Sequence, residues 1–223
     1  MTRTAGILLA MAVVISLAAP MARAADAKDI LDATDVQGGL VVHVGAGDGK
    51  LTAALHANER YVVQGLARRE QDVGKARKHV ESLGLYGPVS VAQWDGRTLP
   101  YVDGLVNLVV SEDAGLSLTE ALRVLGPNGV AYLKRNDKWT KTVKPRPAGM
   151  DEWSHFLHDS SGNAVSGDRA IGPPKRLRWV SEPRWCRSHE HPTSVGAVVT
   201  AGGRLFPIFD EAPSAVYKHL PQH

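Results

Sequence analysis

The sequence predicts an α/β fold built on a parallel, Rossmann-like sheet and followed by a shorter all-β segment. Three observations carry this expectation. Between residues 40 and 134, short β-branched runs alternate with helical patterns. Residues 38–55, GGLVVHVGAGDGKLTAAL, pass from an apolar strand through three alternating glycines into a helix. Beyond Gly149 the helical period gives way to glycines, prolines, tryptophans and short alternating runs. The 223 residues, 43% hydrophobic and 22% charged, have the composition of a globular chain, long enough for one domain and part of another, and not that of a disordered one.

The first 24 residues read as an export signal. Arg3 supplies the positive end, residues 5–19 are apolar apart from Ser16, and Ala22-Arg23-Ala24 has the small-x-small form of a cleavage site, so cleavage is expected after Ala24. The alternative is a membrane anchor, but a span takes about 20 apolar residues and this run is shorter. The expected product is an exported protein, periplasmic or secreted, with no stable membrane span. Losing the leader removes Arg3 and Arg23 from 26 basic side chains, leaving 24 against 23 acidic ones and a net charge of +1. The basic isoelectric point therefore selects no partner. A single cysteine, Cys186, forms no disulfide within the chain, so the fold is not stapled.

Five strands are expected at residues 40–44, 61–64, 89–92, 105–110 and 130–134, and their near-continuous apolar content suits strands covered on both faces. Val73, Ala76, Val80 and Leu83 share one helical face, with Gly84 where a left-handed cap belongs. Leu118, Ala121, Leu122 and Leu125 do the same for a second helix, which Ser117 and Glu120 open with capping-box spacing and Gly126-Pro127 closes. Residues 135–149 are basic and end in Pro145-Arg146-Pro147, which predicts an exposed linker. A nucleic-acid surface is the alternative there, but Trp139 alone interleaves with the charges, so no nucleic-acid partner is expected. Residues 150–223 hold Trp153, Trp179 and Trp185, with β-like runs at 177–180, 195–200 and 204–209. The domains expected are thus 1–24, 25–134, 135–149 and 150–223.

Gly45, Gly47 and Gly49 carry no Cβ, so the turn can take positive φ and let a small-molecule ligand touch bare backbone. A dinucleotide fold would place a third glycine where Lys50 stands. The GxGxG spacing instead resembles motif I of class I S-adenosylmethionine-dependent methyltransferases, and three later segments follow that family in order. They are VAQWDGRTLPY, LVNLVV and EALRVLGPNGVAYL, and with the glycine loop they cover residues 38–134. The resemblance implies a sheet of order 3-2-1-4-5 and a cofactor crevice where that order reverses, lined by His43, Gly45, Gly47, Asp48, Gly49 and Asp95, with Asp95 near the adenine. The family carries an acidic residue two positions before the first glycine and another at the end of the second strand. This chain has His43 and Ala67 at those places. Each lost charge-assisted bond removes about 1.5–3 kcal/mol, so S-adenosylmethionine binding is expected to be weaker by about 100-fold or more. Asp48 is expected to compensate in part, whereas Arg68 and Arg69 are expected to repel a cationic cofactor.

The second half resembles the stretch that joins a methyltransferase-like domain to a quinoprotein, PQQ-like β-propeller in large exported proteins of planctomycete-type bacteria. The segments that carry this likeness are GMDEWSHFLHDSSGNAVSGD, IGPPKRLRWVSEPRWCRSHEH and VVTAGGRLFPIFDE. A propeller needs at least four blades of about 40 residues and fewer than two fit after Gly149, so an incomplete propeller is expected, and no residue is assigned to PQQ. The resemblance thus implies an exported, catalytically impaired methyltransferase-like module that supports a propeller. The alternative is an active S-adenosylmethionine-dependent methyltransferase. No catalytic residue is assigned, since Ser111, Ser154 and Ser188 lack a nucleophile-elbow context. His155, His158, His189 and His191 are candidate metal ligands, set against the commoner exposed or hydrogen-bonded histidine.

Overall fold

The computed structural model describes residues 22–136, 138–170, 172 and 195–209. Along the chain lie α1 (Ala22–Thr34), β1 (Gly39–Val44), α2 (Lys50–Ala54), β2 (Tyr61–Ala67), α3 (Glu70–Ser82), β3 (Val89–Gln93), β4 (Val106–Ser111), α4 (Leu118–Val124), β5 (Leu125–Arg135), β6 (Lys138–Val143), β7 (Val195–Ala201) and β8 (Arg204–Phe209). The first six strands form one sheet of order β3-β2-β1-β4-β5-β6, and β7 and β8 form a separate pair. The first five strands are parallel and occupy the expected places, in the expected 3-2-1-4-5 order.

Side-chain alternation builds the two faces. Along β1, Val41 points to one layer and Val42 and Val44 to the other, and all three are fully buried. On the first face Ala27, Ile30 and Leu31 of α1, Leu51 of α2 and Val73, Ala76 and Val80 of α3 cover Val41, Val63, Leu108 and Val110. On the second, Ala121 and Val124 of α4 join Trp94, Leu99 and Leu116 over Val42, Val44, Val109, Ala131 and Leu133. Gly84 ends α3 as expected, at φ +68°, and Leu85 N–H returns to Val80 C=O at 3.1 Å.

The stretch expected to be a linker is not one. Residues 138–143 form β6, antiparallel to β5, which makes the sheet six-stranded. Trp139 stacks on Tyr132 with ring centroids 4.8 Å apart, and both rings pack against the first core cluster. The lysines that suggested a solvated spacer belong to an edge strand, where positive charge discourages pairing with other chains. They also satisfy carbonyls. Lys141 Nζ donates to Ala33 C=O at the end of α1 (3.0 Å), and Lys144 Nζ donates to Leu125 C=O (2.6 Å).

The expected capping box is half made. Ser117 Oγ accepts the Glu120 N–H at 3.1 Å, but the Glu120 carboxylate accepts Leu99 N–H (2.7 Å) and two Arg123 N–H groups (2.7 and 2.9 Å). Bonding to the Arg123 guanidinium holds the Glu120 carboxyl below its usual range. A carboxylate depressed in this way stabilises the fold at neutral pH and loses that contribution as pH falls through its folded pKa. Glu120→Gln is therefore expected to cost about 1–2 kcal/mol at pH 7 and less at pH 3, as read from urea midpoints at the two pH values.

Beyond β6 the chain runs without regular structure through residue 170, and the described remainder is the β7–β8 hairpin. Its two-residue Gly202-Gly203 turn has φ of +57° and +75°, and backbone of that kind matches the twist of paired strands. The hairpin occupies the runs expected at 195–200 and 204–209. Among the described residues it is a two-stranded sheet, and no propeller blade is seen. The run at 177–180, Trp179, Trp185, Cys186 and the first 21 of the 24 residues expected as a leader lie outside the described residues. Among the described residues, no helix is long and apolar enough to cross a membrane.

Candidate functional site: the crevice at the glycine turn

The sheet order reverses between β1 and β4, so a crevice opens beyond their C-terminal ends. Gly45, Gly47 and Gly49 have φ of +99°, +52° and +83°, so all three use the freedom expected of them. The N–H groups of Gly45 and Ala46 both donate to Leu66 C=O, at 2.9 and 3.0 Å, and this tips the turn toward β2. A Cβ at Gly45 would meet nothing within 4 Å, and at Gly47 only a backbone oxygen at 3.7 Å. Those two present exposed backbone to the crevice. Gly49 faces inward instead, where a Cβ would lie 2.8 Å from Ala76 Cα on α3. Its role is packing, not ligand contact.

His43 does not reach the crevice. It is 1% exposed, and its Nδ1 lies 2.8 Å from Oγ1 of Thr52, itself fully buried on α2. Alternation along β1 explains this, since His43 shares a face with Val41 beneath the turn. Ala67 closes β2, buried, with its C=O accepting Trp94 N–H at 2.9 Å. Asp48 accepts Lys50 N–H at 3.1 Å and pairs with Lys50 Nζ at 3.4 Å. Asp95 is exposed just beyond β3 and accepts Arg97 N–H at 2.8 Å. Of the six residues expected to line the crevice, Gly45, Gly47 and Asp95 are exposed and Asp48 half-buried, while His43 and Gly49 are buried.

The two arginines after β2 are both neutralised, which corrects the expectation that they repel a cation. Arg68 grips Asp113 with two N–H···O bonds of 2.8 and 3.0 Å, and Arg69 grips Asp72 with two of 2.7 and 3.1 Å. Sequence reasoning missed Asp113, Trp94, Gly96 and Gly115, all of which touch or wall Arg68. The only sequence signal was position, since each falls within four residues after β3 or β4.

At the other end of the molecule, His158 Nε2 donates to Asp151 Oδ2 at 2.7 Å, and its Nδ1 lies 3.4 Å from Asp159 Oδ2. His158 and the N–H groups of Glu152 and Gly167 hold the Asp151 carboxyl well below the usual carboxylate range. His155 Nδ1 lies 2.9 Å from Ser154 Oγ. Among the described residues, no group of three or more His, Cys, Asp or Glu side chains is placed to hold a metal ion. His189 and His191 lie outside those residues. A cavity of about 1180 Å³ opens at the N-terminal edge of the sheet, lined in part by Gly39, Arg60, Asn107, Glu152 and Arg204. It lies away from the glycine turn.

At the two places where the resemblance implies carboxylates, one for the ammonium and one for the ribose hydroxyls of S-adenosylmethionine, the chain holds a buried imidazole and a methyl group. No protein-family model matches the chain, and no curated protein matches it. Solved structures similar to it include a Methanococcus maripaludis protein described as an S-adenosyl-L-methionine-dependent methyltransferase, at 21% identity and a TM-score of 0.46 over 50% of this chain and 54% of that one. Another is a SAM-dependent methyltransferase from Aquifex aeolicus, at 24% identity and a TM-score of 0.44 over 51% and 68% of the two chains. A third is geranyl diphosphate C-methyltransferase from Streptomyces coelicolor, with S-adenosyl-L-homocysteine, at 18% identity and a TM-score of 0.45 over 49% and 44%. The chain spans about half the length of the first and the third.

Proposed function

We propose that this chain is an exported module of S-adenosylmethionine-type methyltransferase fold whose crevice no longer holds the cofactor, and which carries a β-rich, propeller-type segment. One observation supports the loss of binding above the others: His43 is buried and bonded to Thr52. The side chain at that place is thus fixed as part of the scaffold. Asp48, the nearest replacement carboxylate, is engaged with Lys50.

Export is compatible with the first helix. The described buried residues of α1, Ala27, Ile30, Leu31 and Thr34, all follow the expected cleavage after Ala24.

The second reading, an active methyltransferase, draws on the open backbone at Gly45 and Gly47. Methyl transfer from a sulfonium is an in-line displacement in which positioning supplies most of the rate, so the absence of an assigned base does not count against it. Calorimetric titration of the chain from Ala25 onward with S-adenosylmethionine and S-adenosylhomocysteine separates the two readings. The expected result is no saturable heat below about 1 mM ligand, in line with about 4 kcal/mol or less of binding energy. Micromolar binding of either compound would establish the second reading.

A further inference from the structure

We propose that Arg68 and Asp113 form a strap across the mouth of the crevice, with the Arg68 guanidinium lying in the slot that a planar ligand group would need. The inference rests on the reading of the crevice given above and names the device that keeps it shut.

Strand register places the strap. Val44 of β1 pairs with Leu66 of β2 on one side and Ser111 of β4 on the other. Arg68 lies two residues past Leu66, and Asp113 two past Ser111. Their contact therefore spans the exit of β1, where the chain enters the glycine turn. Two parallel N–H···O bonds fix the guanidinium plane at the Asp113 end, at 2.8 and 3.0 Å. The Trp94 ring forms one wall, with Arg68 Cζ 5.0 Å from its centroid. Two glycines shape the rest of the slot: a Cβ at Gly96 would lie 2.7 Å from Arg68 Nη1, and one at Gly115 would lie 2.3 Å from Arg68 Nη2. Any larger residue at either place would have to push the guanidinium aside.

Asp113 is held in turn. Its N–H donates to Ser111 Oγ at 3.0 Å, its Oδ1 accepts Gly115 N–H at 2.7 Å, and its C=O accepts from Arg135 Nη1 at 3.1 Å. The strap thus ties the loops after β3 and β4 together through one side chain from the end of β2. A flat, delocalised cation stacked against an indole face occupies the kind of place that a planar ligand group would need. Arg68 is nonetheless 47% exposed and Asp113 21%, so water reaches the pair and the strap can open.

The test compares adenosine binding by the full chain with that of Arg68→Ala and Asp113→Asn, by equilibrium dialysis, with thermal unfolding as the check on folding. Adenosine carries no methionine end, so it probes the slot alone. Arg68→Ala is expected to bind about tenfold or more tightly than the unaltered chain, the factor for a slot open in about a tenth of molecules. Asp113→Asn, which frees the guanidinium without deleting it, is expected to gain less. Should Arg68→Ala not fold, Asp113→Asn and Arg68→Lys carry the comparison, because lysine cannot make the two-pronged bond. Folded variants that bind adenosine no more tightly than the unaltered chain overturn the strap. The gain on substitution decides this inference, whereas S-adenosylmethionine binding by the unaltered chain decides the earlier one, so either can fail alone.

Discussion

Gly49→Val is expected to remove most of the stability of the domain, while Gly45→Ala, four residues away in the same turn, is expected to cost only about 1–2 kcal/mol. Both glycines have positive φ, at +83° and +99°. The difference lies in what surrounds them. A Cβ at Gly49 would sit 2.8 Å from Ala76 Cα and 2.9 Å from Ala76 Cβ, and Ala76 is fully buried on α3. Valine there combines a backbone conformation unsuited to a β-branched residue with overlap against helix backbone, for a total of about 3–5 kcal/mol or more. A domain with ~5–15 kcal/mol of total stability has little left after such a loss. At Gly45 a Cβ meets nothing, so the backbone cost stands alone. Denaturant midpoints of the two variants check the contrast, and equal losses would contradict the division of the turn into an open part and a packed part.

That division was not legible in the sequence, where the three glycines look alike. What was legible follows from periodicity and local chemistry. The five parallel strands are continuous apolar runs because both of their faces are covered, and Gly84 and Ser117 announce helix ends through backbone geometry that few residues supply. β6 escaped because an edge strand is written in lysine and threonine, with only Trp139 and Val143 apolar, and such a pattern also suits a spacer. α1 escaped for a different reason. Its buried face is Ala27, Ile30, Leu31 and Thr34, too small a stripe to stand out beside the apolar leader. Long-range pairing was beyond reach altogether. Nothing near Arg68 in the sequence indicates that Asp113, 45 residues on, will take up its charge.

The site expectations depended on the same distinction between position along a strand and direction of the side chain. Alternation puts His43 on the helix-covered layer with Val41, whereas the turn that follows faces the crevice. Here the imidazole Nδ1 and the Thr52 hydroxyl lie 2.8 Å apart and tie α2 to β1 under the turn. The glycine turn keeps its shape through this contact and through Gly49 against α3, with no ligand required for either.

Installing a carboxylate at that place is therefore expected to harm the fold and not to rebuild a site. His43→Asp puts an acid into a position that is 1% exposed, beside the Thr52 hydroxyl. Leaving a charge there costs about 3 kcal/mol or more at neutral pH, and burial raises the folded pKa of the new group above the ordinary value of about 3.9. The sign follows from proton binding. Above about pH 4 the folded variant holds its proton while the unfolded chain has released it, so stability falls with rising pH by up to about 1.4 kcal/mol per unit until the folded pKa is passed. Urea unfolding at pH 4.5 and 7.5 is expected to show His43→Asp markedly weaker at the higher pH. His43→Asn, neutral and able to bond Thr52, is expected to lose a smaller amount that does not depend on that ionisation. A His43→Asp protein equally stable at both pH values and binding S-adenosylmethionine would mean that the side chain reaches the crevice, and would return the site to the family's pattern.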